Sequence, residues 1–170
     1  KIKNATNKWF KKLEIPYQVS VQKSGNYYVI LFKPRNSNIK ISSMHVGLGY
    51  SVVLPFIVQC IISKNKIITI EEPEVHLHPK LEADFAELII ESAKLRENQF
   101  ILETHSEEFL LRILKSVRQK ILKVEDVSIN YISQNKKHKN HITKIKVNKY
   151  GQYETPWKDD LFADRISELQ

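Results

Sequence analysis

The sequence predicts an α/β fold in which parallel strands alternate with helices and antiparallel hairpins lie at either end. Three observations carry this. Residues 67–70 and "QFILET" at 99–104 are short apolar runs, each followed by an amphipathic segment of helical length. "YQVSVQ" and "NYYVILF" are β-branched and aromatic, with Ser24-Gly25 between them as turn chemistry. "DVSINYISQ" and "HITKIKVN" alternate polar and apolar side chains around the basic turn "NKKHKN".

Taken in order, "NKWFKKLE" at 7–14 reads as a short helix with Trp9, Phe10 and Leu13 on one side, stopped by Pro16. A third extended piece at about 38–42 continues the first hairpin sheet. Residues 51–62 are apolar all round, as in a helix buried on most faces, with Ser51 as N-cap and Pro55 near the first turn. The run at 67–70 is the strand of a parallel sheet covered on both faces. Pro79 opens a helix whose Leu81, Phe85, Leu88 and Ile89 share a face. Ser106 caps a further helix with Glu107 and Glu108 at its positive end and a stripe of Phe109, Leu110, Ile113, Leu114 and Val117. The tail "TPWKDDLFADRISELQ" reads as a turn and a short amphipathic helix carrying Leu161, Phe162, Ile166 and Leu169.

The 170 residues suit a single lobe with a real core. With 42% apolar and 27% charged residues, wholesale disorder is excluded. The longest apolar run, 52–62, is broken by Pro55 and Gln59 and is shorter than the roughly 20 residues a membrane span needs, so neither a span nor a signal segment is expected. Cys60 is the lone cysteine, which precludes an internal disulfide and points to a buried thiol in a reducing, cytoplasmic setting. The net charge is +8, and residues 120–150 hold eight lysines against Glu125 and Asp126. Such a run is either a solvated face or a contact for a polyanion. The opening at Lys1, without an initiator methionine, is what a fragment of a longer chain would show.

Chemistry concentrates in "IITIEEPEVHLHP" at 67–79. Adjacent carboxylates on an extended strand point in opposite directions, so Glu71 can serve a metal while Glu72 serves a water. Thr104-His105-Ser106 brings an imidazole to the same carboxyl edge, where it can donate to a phosphate oxygen. His76 and His78 would share a face if extended and could hold a metal with Glu74, which would make a metal-dependent hydrolase.

The pattern of four apolar residues, then E-E-P-E-x-H-L-H-P, then an apolar strand ending E-T-H-S, resembles the Walker B, D-loop and switch-histidine segments of ABC-type ATPases, in the SMC-like and OLD-like AAA branch. "MHVGLGYSVVLPFIVQ" at 44–59 looks like that branch's signature segment, and "PWKDDLFADRISEL" is similar to a short C-terminal domain found on these ATPases. The resemblance implies the C-terminal lobe of a P-loop NTPase head, arranged as a helix and hairpin lead-in at 1–43, a signature-to-switch lobe at 44–123, and a basic hairpin with a C-terminal helix at 124–170. It implies ATP and Mg2+, with Glu71 as the Walker B acid near the metal, Glu72 as general base, His105 as the γ-phosphate switch, and Gly49, Ser51 and the D-loop Glu74 as nucleotide contacts. It further implies a homodimer closed through ATP, in bacterial DNA repair or anti-phage defence. Residue 71 is Glu where most ABC proteins have Asp, and Val52 stands where the branch has a signature glutamine.

No G-x-x-x-x-G-K-[ST] occurs, and glycines at 25, 47, 49 and 151 cannot build one. The chain alone is therefore expected to be inactive and to need a P-loop half as partner. Two further readings stand beside this one: a non-enzymatic module binding DNA or RNA through Lys136, Lys137 and Lys139, and the metal-dependent hydrolase.

Overall fold

The computed structural model describes residues 1–134 and 138–154. The predicted tail helix, Lys136 and Lys137 lie outside the described residues. The chain forms two compact units, Lys1–Phe109 and Leu110–Gln170, where its length alone suggested one lobe. Among the described residues, the parallel strand pair is complete within the first unit, and the last hairpin pairs only with itself.

In the first unit, α1 (Ile2–Lys12) starts five residues before the expected boundary and buries Trp9 and Phe10, with Leu13 buried at its C-cap. It closes in a Schellman turn: Glu14 takes a φ of 55°, its N–H donates to Lys11 O, and the Ile15 N–H donates to Phe10 O. Pro16 then starts the chain toward β1 (Tyr17–Ser24), which pairs antiparallel with β2 (Tyr27–Pro34). The pair closes at Ser24 opposite Tyr27, so the loop residues are Gly25 and Asn26, one position beyond the expected turn, and Gly25 supplies a φ of 58°. Val19 and Phe32 face each other in the core. Asn7 docks α1 onto β1 with both amide atoms, donating to Val19 O and accepting from Val19 N. β3 (Ile41–Ser42) extends this sheet by one short edge strand.

The helix α2 spans Leu48–Ile62 with Gly47 at its N-cap. Ser51 is thus inside the helix and Pro55 at its middle, a correction to both expected positions. The chain turns into the helix at Gly47, ahead of the expected cap, Ser51 Oγ donates to Ser43 O, and Pro55 is tolerated on an exposed face. Val53, Leu54, Ile57 and Cys60 are buried, and burial pushes the Cys60 thiol up to about 12.

β4 (Ile67–Glu71) and β5 (Gln99–Glu103) pair in parallel, with Glu71 opposite Glu103. They are joined through α3 (Pro79–Arg96), which packs on β5 and α2 and buries Phe85, Ala86, Leu88, Ile89 and Ile90. Leu81 of the expected stripe is half-buried. The expectation that β4 is covered on both faces does not hold: Ile68 and Ile70 are buried, whereas Ile67 is 67% exposed and its neighbour Ile101 57%. Burial thus alternates along β4, with Ile67, Thr69 and Glu71 on its exposed face.

α4 (Glu107–Arg118) carries the chain into the second unit. Ser106 caps it as predicted, its Oγ accepting the Phe109 N–H at 3.0 Å, and Phe109, Leu114 and Val117 are buried. Leu110 and Ile113 are half-buried. In the second unit β6 (Ile129–Gln134) and β7 (Asn140–Ile145) form the predicted antiparallel hairpin. Ile145 is buried. Gly151, at a φ of 67°, brings its backbone against Leu114 so closely that a Cβ there would meet the Leu114 carbonyl.

Candidate functional site

The carboxyl ends of β4 and β5 lie side by side because the strands are parallel and in register. The Glu72 N–H donates to Glu103 O at 2.9 Å, carrying the ladder one residue past β4, but Glu72 itself turns to a φ of 43°. The extended alternation assumed for Glu71 and Glu72 therefore ends at residue 71. What separates the two carboxylates is the left-handed turn at residue 72, not strand alternation.

That turn aims Glu72 at His105: its Oε1 lies 3.7 Å from His105 Nε2, with Glu72 48% and His105 66% exposed. An exposed pair at this separation contributes less than about 1 kcal/mol to folding. It is also too long for a direct hydrogen bond, so a water could bridge the two groups, donating to Glu72. Glu103 joins them, and ligand atoms of Glu72, Glu103 and His105 all lie within 4.8 Å of one another.

Glu103 was missed by sequence reasoning, although a signal was available: it ends the second apolar strand in register with Glu71 and directly precedes Thr104. Glu71 stands on the exposed face of β4, outside that cluster. Glu103, next to Glu72 in this cluster and opposite Glu71 in the strand register, suits a hard cation such as Mg2+, which takes one or two protein carboxylates and completes its shell with water and phosphate. An imidazole is a poor Mg2+ ligand, which leaves His105 for an anion.

The 104–106 segment is held residue by residue. Glu74 Oε1 accepts from Thr104 Oγ1 at 2.8 Å and from the His105 N–H at 2.5 Å. Thr104 Oγ1 accepts from the Ser106 N–H, and Ser106 Oγ donates to Glu82 Oε2 at 2.5 Å. On its other side the 72–78 loop meets α2: a Cβ on Gly49 would collide with the His76 carbonyl oxygen and press on Leu77. Gly49 is therefore required by backbone-to-backbone contact. An open groove of about 340 Å³ lies beside this contact, lined by Gly47, Leu48, His76, His78 and Leu81 among others.

The Glu74–His76–His78 metal triad is not assembled. Glu74 is turned to the 104–105 segment, His78 Nδ1 accepts the Lys80 N–H as N-cap of α3, and His76 has a φ of 66°. The shared face required an extended segment, and this one is a succession of tight turns, with Val75 N–H donating to Glu72 O and Leu77 N–H to Glu74 O. Ser51 commits its hydroxyl hydrogen to Ser43 O and keeps its acceptor capacity.

The sequence family described as the AAA ATPase domain matches residues 1–110. The chain belongs to the AAA ATPase domain family. That match ends within one residue of the boundary of the first unit. Over 97 residues, 56% of its length, this AAA ATPase chain is 30% identical to protein ea59 of Escherichia phage lambda, and it spans only 18% of that relative's length.

Among solved structures the AAA ATPase chain is similar to a protein solved in work on ATP-driven dimerization and DNA stimulated activation of SMC ATPases. The TM-score is 0.61 at 17% identity, covering 99% of this chain and 89% of the other. It is also similar to an Smc head bound to the C-winged helix domain of ScpA, with a TM-score of 0.66 at 17% identity, covering 87% of this chain and 43% of that one. A Pyrococcus furiosus Smc head bound to the C-terminal domain of ScpA gives 0.62 at 18% identity, covering 85% and 34%. These likenesses establish the fold: parallel strands with helices and antiparallel hairpins, as in SMC heads. No described helix is long and apolar enough to cross a membrane.

Proposed function

We propose that this AAA ATPase chain is the C-terminal part of an SMC-like head that hydrolyses ATP once a P-loop half supplies the phosphate cradle. The observation that carries the reading is the Glu72–His105 pair, 3.7 Å apart at the carboxyl ends of two parallel strands. Glu72 holds the attacking water and takes its proton as the bond to the γ-phosphorus forms and the bond to ADP breaks. His105 donates to a γ-phosphate oxygen, where charge accumulates. Glu71, with Glu103 nearby, forms the metal-facing side; bound Mg2+ would neutralise phosphate charge there. Gly49 and Ser51 sit in the first turns of α2, where backbone N–H groups favour phosphate, and a second copy would use them across an ATP-closed homodimer.

The buried thiol of Cys60 suits a cytoplasmic setting. The likeness to a protein from work on DNA stimulated activation of SMC ATPases supports work on DNA, and the setting we propose for it is repair or anti-phage defence. The test joins the chain to a P-loop half and measures ATP turnover and binding for Glu72→Gln. Turnover is expected to be lost with binding intact; unchanged turnover would overturn the assignment of the base.

A second reading, compatible with the first, assigns nucleic-acid contact to the β6–β7 hairpin, whose described residues Lys139, Lys144 and Lys146 are exposed. Lys136 and Lys137 belong to the same proposal from sequence.

A further inference from the structure

We infer that Glu74 is a positioning residue for His105, acting through the backbone of the 104–106 segment rather than touching nucleotide. The inference rests on the ATPase reading for its catalytic consequence, but its structural half stands without it.

Thr104 Oγ1 and the His105 N–H converge on the same carboxylate oxygen of Glu74, at 2.8 and 2.5 Å. The other oxygen, Oε2, is buried and makes no hydrogen bond among the described residues. A carboxylate half-enclosed in this way is a costly choice if stability alone is at stake, because a buried acceptor without a partner is penalised. What it achieves is placement. Two donors from consecutive residues fix the peptide that carries His105, and that peptide sets where the exposed imidazole stands relative to Glu72.

The opposite side of the segment is tied by Ser106 Oγ to Glu82 of α3, so His105 is held between two independent anchors. Glu74 also lies in the loop whose His76 carbonyl presses on Gly49. A displacement of that loop by a ligand at the start of α2 would therefore be transmitted to His105 through one side chain.

Substitution separates this role from a direct ligand role. In Glu74→Gln the amide oxygen can keep both donors, and the amide NH2 replaces an oxygen that has no partner. Glu74→Ala removes the acceptor altogether. In the full-length protein, hydrogen exchange of the 103–106 segment should accelerate in Glu74→Ala and stay at the wild-type rate in Glu74→Gln. ATP turnover should show kcat lowered about a hundredfold in Glu74→Ala with KM unchanged, since a displacement of roughly 1 Å costs that much, and Glu74→Gln should restore kcat.

Equal loss of kcat in both variants, or a raised KM with kcat unchanged, would overturn the inference in favour of direct nucleotide contact. Unchanged exchange in Glu74→Ala would overturn it outright. Should the wild-type protein not hydrolyse ATP, the exchange comparison still decides whether Glu74 positions His105, and only the ATPase reading falls.

Discussion

The parallel pair β4–β5 and the hairpin β6–β7 are each two strands of five or six residues, yet they organise side chains differently. The hairpin joins residues close in sequence, such as Ile132 opposite Ile142, and its surface is a direct readout of local alternation. The parallel pair needs a crossover through α3, so it sets residue 71 beside residue 103 and brings Glu72 to His105. Such a crossover collects groups distant in sequence at one edge, which is where a multi-residue reaction centre can be assembled. The hairpin collects like charges instead, which suits attraction to a polyanion.

On that contrast, the largest effect of any single change belongs at the parallel edge. Glu72→Gln in the P-loop-completed protein should lower kcat by about 10²–10⁴-fold, as expected for loss of a general base, while ATP binding persists. Lys144→Ala in the hairpin should leave kcat unchanged. Turnover sensitive to Lys144 and indifferent to Glu72 would reverse the comparison.

Next in size is the contact that supports the edge from α2. Gly49→Ala places a methyl against the His76 carbonyl and should destabilise the protein by about 1–3 kcal/mol, measured by chemical denaturation. Stability within error of wild type would mean that the loop yields easily. Ser106→Ala removes the cap of α4 and the donor to Glu82, with an expected loss of about 0.5–2 kcal/mol by the same measurement. The smallest effect belongs to the hairpin: Lys144→Ala should reduce the salt dependence of DNA or RNA binding by about one counterion. A slope identical to wild type would remove Lys144 from any phosphate contact.

Much of the fold was legible because its signals are local. Ser106 followed by two glutamates and an apolar stripe is a cap and a helix, and both were found. The hairpins followed from alternation, with one turn displaced by a single residue. The start of α2 differs from the expected Ser51 because Ser51 is a good cap by type, whereas the chain enters the helix at Gly47, which caps it with no side-chain bond and leaves no local signal of that kind. The bare face of β4 was also hidden: a continuous apolar run reports what a strand can bury, not what this stretch of chain supplies to cover it.

The site divides in the same way. The motif named Glu72 and His105 and the strand ends that carry them, since residue type and strand order are written in the chain. Glu103's membership and Glu74's grip on residues 104 and 105 came only from the tertiary structure. So did the backbone contact at Gly49 and the left-handed turn at Glu72, along with the scattering of the His76 and His78 pair. Periodicity and capping act over a few residues and can be read directly. Which oxygen meets which N–H across some thirty residues depends on strand register and loop curvature, and those are decided when the whole unit packs.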